Sequence, residues 1–318
     1  MKKSLTLGTA LMLTVLCSCA APQNTATEIY FDTAVTITAD CSDEVLAGAF
    51  SLCAEYDKAL NRTKEDSEVA LLASGKRKVD GDTLELIKRG LYYCELTGGR
   101  FDITTAALSD IWDFKNAVVP SRDEIAEALK NVDYESIEIS GNEVNTNGRK
   151  IDLGAIAKGY ISDKLLAYFK DSGTKSGILN LGGNVTVFGE DYCNVGIKKP
   201  FYEDTCAILR LKNKTVSTSG IYERYFRVDG DENLYHHILD PETGYPAKTD
   251  LLSASVIGNT SADCDALSTV CILYGLENAR KLIENTEGFE AVFVDRDYNI
   301  TVTDGLNNEN GVITLIER

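Results

Sequence analysis

The chain has 318 residues, of which 49 are acidic and 32 are basic, so its formal net charge is −17 at pH 7. A protein this acidic repels nucleic acid and anionic lipid headgroups, so we predict no nucleic-acid partner. A phosphate-rich ligand would need a local cation or a helix N-terminus to hold it. Hydrophobic residues make up 44% of the chain, which at this length is enough to bury a large core.

The first residues have the pattern of an export signal. Two lysines precede an uncharged, mostly apolar run over residues 4–16, which is too short to anchor a helix across a bilayer. The run ends in Leu-Cys-Ser-Cys-Ala, which resembles the bacterial lipoprotein signal. This resemblance implies that residues 1–18 are removed and that Cys19 carries a lipid. Plain secretion, with cleavage near Ala20 or Ala21, is the alternative.

The lipoprotein interpretation defines the domain organisation and the location of the protein. It predicts a polar tether over residues 19–27 and one body over residues 28–318, which is extracytoplasmic and anchored to the cell membrane by the N-terminal lipid. No later segment is apolar for long enough to cross a membrane. Loss of the signal removes two lysines and no acids, which takes the net charge from −17 to −19.

The nine cysteines do not have the pattern of a disulfide framework. Apart from Cys17 and Cys19 there are seven, an odd number, scattered singly without a Cys-x-x-Cys motif. Most of them lie in apolar helical or strand contexts, where a thiol packs as a small hydrophobic group. We therefore predict that most of the cysteines are reduced.

The hydrophobic periodicity predicts helices and strands mixed irregularly along the chain. In chain order, the N-terminal half is predicted to contain strand 28–39, helices 42–60, 83–96 and 122–130, strands 136–139 and 143–146, and helix 155–169. The C-terminal half is predicted to contain strands 177–181, 185–188, 194–197, 207–211, 225–228, 235–239 and 252–257, helices 262–273 and 276–284, and strands 291–294 and 300–303. This mixing, without a long linker or a repeat, predicts an α+β fold: a single domain whose mixed or antiparallel sheet core is flanked by helices.

The segment IDLGAIAKGYISDK, residues 151–164, is predicted to end a strand at Asp152 and to begin a helix directly afterwards. The N-terminus of such a helix presents free N–H groups and the positive end of the helix dipole, which suits an anion. Lys158, one turn into the helix, would add a donor to a phosphate. The alternative is that Asp152 only caps the helix and that Lys158 is a solvated charge.

The segment SADCDALSTV, residues 261–270, places Asp265 and Thr269 four residues apart, so on a helix their side chains share one face. A carboxylate and a hydroxyl together suit a cation that takes only oxygen ligands, such as Mg²⁺, which completes its shell with water and substrate phosphate. The alternative is that Thr269 bonds back to its own helix and that Asp265 is solvated.

Three further segments combine glycine or hydroxyl-bearing residues with turns, and each also has an ordinary structural explanation. In GGRFDITTAALSDIW, residues 98–112, the glycines would end a helix and the aromatic residues would belong to the core. LNLGGNVTVFG, residues 179–189, favours a hairpin turn. VSTSGIYERYF, residues 216–226, is a hydroxyl-rich turn before a strand and is unspecific by itself.

The two histidines of the chain are adjacent, in YHHILDPETGYP, residues 235–246. In a strand they point to opposite faces, so they cannot readily share one metal ion. One would then be structural, and the other would face a functional site. We hypothesise that His237 is a general base, because it is nearer the acidic turn 240–242 and imidazole has a suitable pKa. The alternative is that both residues only pack and form hydrogen bonds.

Six blocks, in this order and at this spacing, resemble one protein family. They are FDITTAAL, IDLGAIAKGY, LNLGGN, STSGIYERYF, YHHILDPETGYP and DALSTV. The resemblance is to the ApbE-type flavin transferases, which are FAD:protein FMN transferases that attach FMN covalently to a threonine of a partner protein. It extends from about Tyr30 to the C-terminus, and six ordered matches are far more specific than a single glycine motif.

Carried over residue by residue, the resemblance implies an FAD site and a Mg²⁺ site. The FAD site would be lined by Phe31, Arg100, Phe101, Asp102, Asp152, Lys158, Ile238 and Leu239. Mg²⁺ would be held by the main-chain oxygens of Ala155 and Ser268 and by the side chains of Asp265 and Thr269. The sequence departs from the family where Phe31-Asp32-Thr33 replaces the usual Met-Gly-Thr. Asn184 stands where many members carry an acid, so it is left out of the site.

The implied function is Mg²⁺-dependent transfer of FMN from FAD to a threonine hydroxyl of an exported or membrane acceptor protein, with release of AMP. FAD is then the substrate, Mg²⁺ the cofactor, and the partner a flavoprotein subunit with a threonine flavinylation motif. A pyrophosphatase that releases FMN and AMP, or a non-catalytic FAD-binding lipoprotein, is the alternative. A solute-binding lipoprotein would have two lobes, and the motifs disfavour it.

Overall fold

A computed structural model describes residues 24–231 and 233–316 of the chain. The predicted signal peptide and lipidated cysteine, with tether residues 19–23, lie outside the described residues. Residues 24–27, predicted as the end of the tether, instead belong to the first strand and pair with residues 36–39. Among the described residues, no helix combines the length and the apolar character that crossing a membrane requires.

Within the described ranges the chain forms seven α-helices, one 3-10 turn at Tyr134–Ser136, and seventeen strands. The helices are α1 Asp43–Leu60, α2 Glu68–Leu72, α3 Gly81–Leu96, α4 Ala106–Ser109, α5 Arg122–Leu129, α6 Ala157–Asp171 and α7 Ser261–Glu284. The strands are β1 Asn24–Tyr30, β2 Thr33–Ala39, β3 Arg77–Lys78, β4 Glu138–Ser140, β5 Glu143–Asn145, β6 Gly177–Leu181, β7 Asn184–Phe188, β8 Cys193–Lys198, β9 Thr205–Leu211, β10 Lys214–Gly220, β11 Tyr225–Arg227, β12 Leu234–His236, β13 Leu251–Gly258, β14 Glu290–Asp295, β15 Ile300–Val302, β16 Leu306–Glu309 and β17 Val312–Leu315.

The core is built around an antiparallel sheet of eight strands, in the order β1-β2-β6-β7-β10-β13-β14-β15. A four-stranded sheet, in the order β16-β17-β9-β8, covers one face of it. Helices α6 and α7 pack on the other face, and α1 packs on α6. Because both faces are covered, every residue of β7 and of β13 is buried. This architecture confirms the predicted α+β fold with an antiparallel sheet core flanked by helices.

The single strand predicted over residues 28–39 is wrong, because the chain forms a hairpin of β1 and β2 there. Phe31 and Asp32 form a two-residue turn with φ of 54° and 57°, the left-handed pair that a type I′ hairpin requires. The Phe31 N–H donates to Asp57 of α1 at 3.1 Å, which fixes the turn against the helix. The alternation of apolar and polar residues continues through the turn, so periodicity alone does not reveal it.

Two other predicted features differ in the structure. Residues 216–220, predicted as part of a turn, lie in β10, a central strand of the large sheet. Their hydroxyl-rich composition hides the strand, because hydroxyls take the positions where apolar residues would signal a buried face. The strand predicted to end at Asp152 is absent: residues 151–153 are irregular, and the Asp152 N–H donates to the Ile103 carbonyl at 2.7 Å.

The predicted helices 262–273 and 276–284 are confirmed as the two halves of α7, which bends at Gly275 with φ of 73°. The Asp250 side chain accepts a hydrogen bond from the Leu276 N–H at 2.8 Å and so caps the second half. Strands β16 and β17 were not predicted, because their short, partly exposed segments lack a clear apolar face. Free thiols are present at Cys41, Cys53, Cys94, Cys206, Cys264 and Cys271, which agrees with the prediction that most of the cysteines are reduced.

Helices α6 and α7 meet at a close approach of their backbones, which Gly159 permits. A Cβ atom at Gly159 would lie 2.2 Å from the Ser261 carbonyl oxygen. Asp163, one turn later in α6, accepts hydrogen bonds from the Ser261 and Ala262 N–H groups at 2.8 and 2.9 Å. The carboxylate of one helix therefore caps the N-terminus of the other, and the start of α7 is held in place by α6.

Replacing Gly159 with Ala is expected to destabilise the protein by about 2 kcal/mol or more, because the new methyl group would overlap backbone that is tied down by the α7 cap. Chemical denaturation measures this change in the free energy of unfolding. Gly81 provides a matched control, since a Cβ atom there would have no neighbour within 4 Å. Gly81→Ala is expected to leave stability unchanged or to raise it by about 0.5 kcal/mol. Equal stability of the two variants would contradict this account of the packing.

Candidate functional site

The candidate site centres on Asp265, a carboxylate near the start of α7 that is only 4% exposed. Its Oδ2 accepts a hydrogen bond from the Gly159 N–H of α6 at 3.0 Å, and its Oδ1 accepts one from the Ser217 hydroxyl of β10 at 3.1 Å. Segments 151–164 and 261–270 therefore meet, as predicted. The alternative that Asp265 is solvated is wrong, because the side chain is enclosed between the sheet and the two helices.

The start of α6 offers a main-chain oxygen beside this carboxylate. Helix α6 begins at Ala157, and its N-cap residue, Ile156, provides no side-chain acceptor. Gly159 is the third residue of the helix, so its N–H has no acceptor within the helix. Here the N–H donates to Asp265 instead. The Ala155 carbonyl precedes the helix and accepts no backbone hydrogen bond from the described residues, so it is available to a ligand, at the position where the family resemblance implies a metal ligand.

Three hydroxyl groups next to Asp265 form a chain in which each has one proton to donate. The Ser268 hydroxyl donates its proton to the main-chain carbonyl of Asp265 at 2.9 Å. It must therefore accept the hydrogen bond that joins it to the Ser219 hydroxyl of β10 at 2.7 Å. Ser219 also lies 3.1 Å from the Thr269 hydroxyl, which must donate because the Ser219 proton is already used. Thr269 therefore bonds to the sheet rather than back to its own helix, and its remaining lone pairs can serve a ligand.

The groups around Asp265 fit a hard cation. Carboxylate, hydroxyl and carbonyl oxygens are the ligands that Mg²⁺ takes in proteins. The described part of the chain contains no group of three or more His, Cys, Asp or Glu side chains that could hold a metal ion. A cation here would therefore rely on one carboxylate, neutral oxygens and its other ligands. The Ser268 carbonyl lies inside α7, so it could offer only the lone pair that the helical hydrogen bond leaves free.

His236 is the structural member of the histidine pair. It ends β12, is 2% exposed, and its Nε2 lies 3.1 Å from the Ala247 carbonyl, to which it can donate. Burial lowers its pKa to about 4. The side chain is therefore neutral at pH 7 and acts as a hydrogen-bond donor within the core.

His237 has the features expected of a base. Its backbone N–H donates to the Arg224 carbonyl at 3.0 Å, and its Nδ1 is buried without a hydrogen-bond partner among the described residues. Burial, together with the positive charges of Arg224 and Lys158, lowers its pKa to about 3. A neutral imidazole with an unused nitrogen next to two fixed cations can accept a proton once an anion binds beside it.

Three cationic side chains, Lys198, Lys158 and Arg224, lie around Glu223. Loss of solvation raises the pKa of the Glu223 carboxyl, and the three positive charges oppose that rise. Lys158 and Arg224 also act on His237. One carboxylate against three cations leaves local positive charge in an acidic protein, which suits an anion such as a diphosphate. Lys158 was predicted from the sequence, whereas Lys198 and Arg224 were not.

Arg100 and Asp152, predicted for the FAD site, already have protein partners. Arg100 donates to a carbonyl of α7 at 2.9 Å and lies 3.6 Å from Asp240 of the acidic turn. Asp152 accepts from the Gly154 N–H at 2.9 Å and forms an ion pair with Arg62 at 2.9 Å. Asp152 therefore does not cap α6, and it is not a free anion next to a phosphate. Lys158 is half-buried rather than solvated and donates to the Gly154 carbonyl at 3.3 Å.

The remaining residues predicted for the FAD site lie in the core or in turns. Buried core positions are held by Phe101, Ile238 and Leu239. Asp102 accepts hydrogen bonds from the backbone and the hydroxyl of Thr104 at 2.7 and 2.6 Å, and burial raises its pKa. Phe31 is half-buried at the β1–β2 turn. No contact of these side chains reaches Asp265, and their role in binding FAD stays a prediction.

The sheet residues of the site were missed by the sequence analysis. Ser217 and Ser219 contact α7 from β10, and Asn184 of β7 is paired with Ser217 across the sheet. The signal that could have found them is the period of two in Thr215, Ser217 and Ser219, which places three hydroxyls on one face of a strand. That pattern identifies a strand with a buried polar face rather than a turn.

Comparison with known proteins identifies the class. A model of the ApbE family matches residues 31–293, most of the chain, and the chain therefore belongs to the ApbE family. The crystal structure of the ApbE protein from Thermotoga maritima superposes with a TM-score of 0.82 at 31% identity, covering 89% of this chain and 97% of that one. The apo flavinyl transferase ApbE of Pseudomonas stutzeri, at 24% identity, shares the fold with a TM-score of 0.79, covering 91% and 97%.

Two curated relatives have similar sequences over most of their length. A protein of Treponema pallidum (strain Nichols) is 31% identical over 290 residues, which is 82% of this chain and 80% of the relative. A protein of Klebsiella pneumoniae (strain 342) is 31% identical over 274 residues, which is 82% of this chain and 85% of the relative. Both are named FAD:protein FMN transferase.

The two depressed histidine pKa values predict that stability falls in mild acid. Between the folded and unfolded pKa values the unfolded chain binds more protons, so the free energy of unfolding rises with pH and is lost as pH decreases from about 6.5 towards 4. His236 alone would account for about 3 kcal/mol of this loss. Denaturant titrations at several pH values should therefore show a shallower pH dependence for His236→Gln than for the wild type. Parallel curves for the two proteins would contradict the prediction.

Proposed function

We propose that this chain is an FAD:protein FMN transferase that moves FMN from FAD to a threonine hydroxyl of a partner protein. The single observation that carries the proposal is that Asp265, which shares a helix with Thr269, meets the start of α6 through the Gly159 N–H. In the reaction, the threonine oxygen forms a bond to the phosphorus on the FMN side, and the bond from that phosphorus to the bridging oxygen breaks. The products are a phosphoester on the partner protein and AMP. The names of the two curated relatives support this assignment.

The cation that we propose for the site is Mg²⁺. Asp265, Thr269 and the Ala155 carbonyl would hold it, with the Ser268 carbonyl as the fourth ligand implied by the family resemblance. When bound, Mg²⁺ supplies positive charge to the diphosphate as a Lewis acid. The support for this choice is the all-oxygen donor set around a buried carboxylate.

The cations of the chain itself act on the same negative charge. The diphosphate approaches a protein with a net charge of −17, so long-range attraction does not assist it. Lys158, Lys198 and Arg224, which cluster around Glu223, provide attraction at short range, where screening by salt is weakest. We propose that they orient the phosphate groups between His237 and the oxygens of α7.

His237 accepts the proton of the attacking threonine hydroxyl in this proposal. Its pKa of about 3 in the free protein keeps it neutral, so it can take a proton without first losing one. A bound diphosphate places negative charge beside it, which raises its pKa and makes it a stronger base at the moment of attack. The proton passes to water after AMP leaves.

We also propose that the acceptor is another exported or membrane protein, and that a lipid on Cys19 anchors this chain outside the cytoplasm. The lipoprotein-like signal supports the location. The threonines of FDTAVT, residues 31–36, are a poor match to an acceptor motif and lie in β2, which argues against self-modification. Cell fractionation, with the protein in the membrane or in the soluble fraction, tests the location.

The reaction is tested by incubating the protein with FAD, MgCl₂ and an acceptor domain that carries a threonine flavinylation motif. We expect flavin that stays on the acceptor through denaturation, with one AMP released for each flavin attached. AMP release without bound flavin would instead identify a pyrophosphatase, and no AMP under any condition would identify an FAD-binding protein. EDTA and the Asp265→Asn variant are each expected to lower transfer by about 100-fold or more, because both remove charge stabilisation from the diphosphate.

Replacing His237 with Ala is expected to lower the rate of transfer by about 10²- to 10⁴-fold, the usual contribution of a general base. FAD binding, measured by flavin fluorescence, should persist, and imidazole added to the solution should restore part of the rate. His236→Gln is the matched control, because Gln keeps a donor for the Ala247 carbonyl, and this variant should retain transfer. Full activity of His237→Ala would exclude His237 as the base.

A further inference from the structure

Asn184 is a buried polar residue next to Asp265 whose side chain is not fully satisfied. It is the first residue of β7, directly after the Gly182-Gly183 turn, and is 1% exposed. In the antiparallel register it lies opposite Ser217 of β10, so both side chains point to the face of the sheet that carries α7. Its terminal amide contacts the Ser217 hydroxyl, while the other end of the amide group is buried without a hydrogen-bond partner among the described residues.

The proton of Ser217 decides which end of the amide faces which neighbour. The Ser217 hydroxyl lies 3.1 Å from Oδ1 of Asp265, and a carboxylate can only accept, so the single hydroxyl proton must go there. The amide atom of Asn184 that contacts Ser217 must then be a donor, which is the NH₂ group. The oxygen and nitrogen of an amide are nearly isosteric, and the hydrogen-bond network is what assigns them. The Asn184 carbonyl oxygen therefore takes the buried position that has no partner.

We propose that the Asn184 side-chain oxygen is a further ligand of the cation held at Asp265. This proposal rests on the Mg²⁺ site of the proposed function and adds to it a residue that the family resemblance left out. Buried carbonyl oxygens are almost always paired. This one belongs to a side chain on the face that carries Asp265, and the Ser217 hydroxyl lies between the Asn184 NH₂ group and the Asp265 carboxylate. An amide oxygen is a neutral, hard ligand of the kind that Mg²⁺ accepts.

The neutral character of Asn184 has a consequence for affinity. Among the proposed ligands, only Asp265 carries a charge, so the cation is held by one negative side chain and by oxygens without charge. Asn184→Asp would place a second carboxylate on the same face and is expected to bind the cation at least as tightly as the wild type.

The experiment measures cation binding directly and does not depend on turnover. MnCl₂ is titrated into the FAD-free protein, without and with ADP as an unreactive diphosphate, and free Mn²⁺ is followed by its electron paramagnetic resonance signal. Asn184→Leu, which has a similar volume but no oxygen, is expected to weaken binding by about tenfold or more. Asn184→Asp should bind as tightly as the wild type or more tightly, and MgCl₂ should displace Mn²⁺ from both.

Thr186→Val is the matched control, because Thr186 lies on the same strand and face and bonds to Ser162 at 2.8 Å rather than to Asp265. It should leave the Mn²⁺ affinity unchanged, and denaturation midpoints of all variants identify any that are unfolded. Unchanged affinity in Asn184→Leu, or weaker binding in a folded Asn184→Asp, overturns the role of Asn184 while the cation site stands. Absence of Mn²⁺ binding by the wild type in both arms overturns the cation site itself, and with it this proposal.

Discussion

The site depends on one hydrogen bond, from the Gly159 N–H to the buried carboxylate of Asp265. A buried carboxylate is costly without partners, and this N–H and the Ser217 hydroxyl together stabilise it. The same bond gives an acceptor to an N–H in the first turn of α6, and the Ala155 carbonyl just before that turn accepts no backbone hydrogen bond from the described residues. Because a Cβ atom at Gly159 would collide with the Ser261 carbonyl, the packing of α6 on α7 and the arrangement of the site's oxygens are consequences of one constraint.

The charges of the molecule are arranged on two scales. Over the whole chain the net charge is −17, which disfavours anions at a distance. Around Glu223 the balance reverses, because the positive charges of Lys158 from α6, Lys198 from the end of β8 and Arg224 from the segment before β11 all act on it. In the proposed function, these cations and the hard oxygens of α7 would meet the two needs of a diphosphate, which are direct attraction and a shared metal ion. A single residue type could not meet both needs.

The sequence predicted most local structure correctly where local interactions decide it. The helices predicted over residues 42–60 and 122–130 begin within one residue of their predicted starts and are capped by Ser42 and Ser121, since a cap needs only its own first turn. The sequence failed where tertiary contacts override a local pattern. The hydroxyls of β10 look like a turn until the strand is placed between β7 and β13, where they face α7. The turn at Phe31 is hidden by continuous alternation, which a hairpin permits as readily as a strand does.

The sequence by itself determined the fold class, the family resemblance and the shared helical face of Asp265 and Thr269, because a four-residue spacing is a property of one helix. Only the tertiary structure decided which groups surround that face. The contacts of Asp265 with Ser217 and Gly159 join residues 48 and 106 positions apart, and they depend on the sheet register and on two helices packed on it. The orientation of the Asn184 amide depends in turn on the Asp265 carboxylate. The Ser217 hydroxyl has one proton, which goes to that carboxylate, so the Asn184 atom that contacts Ser217 must be a donor.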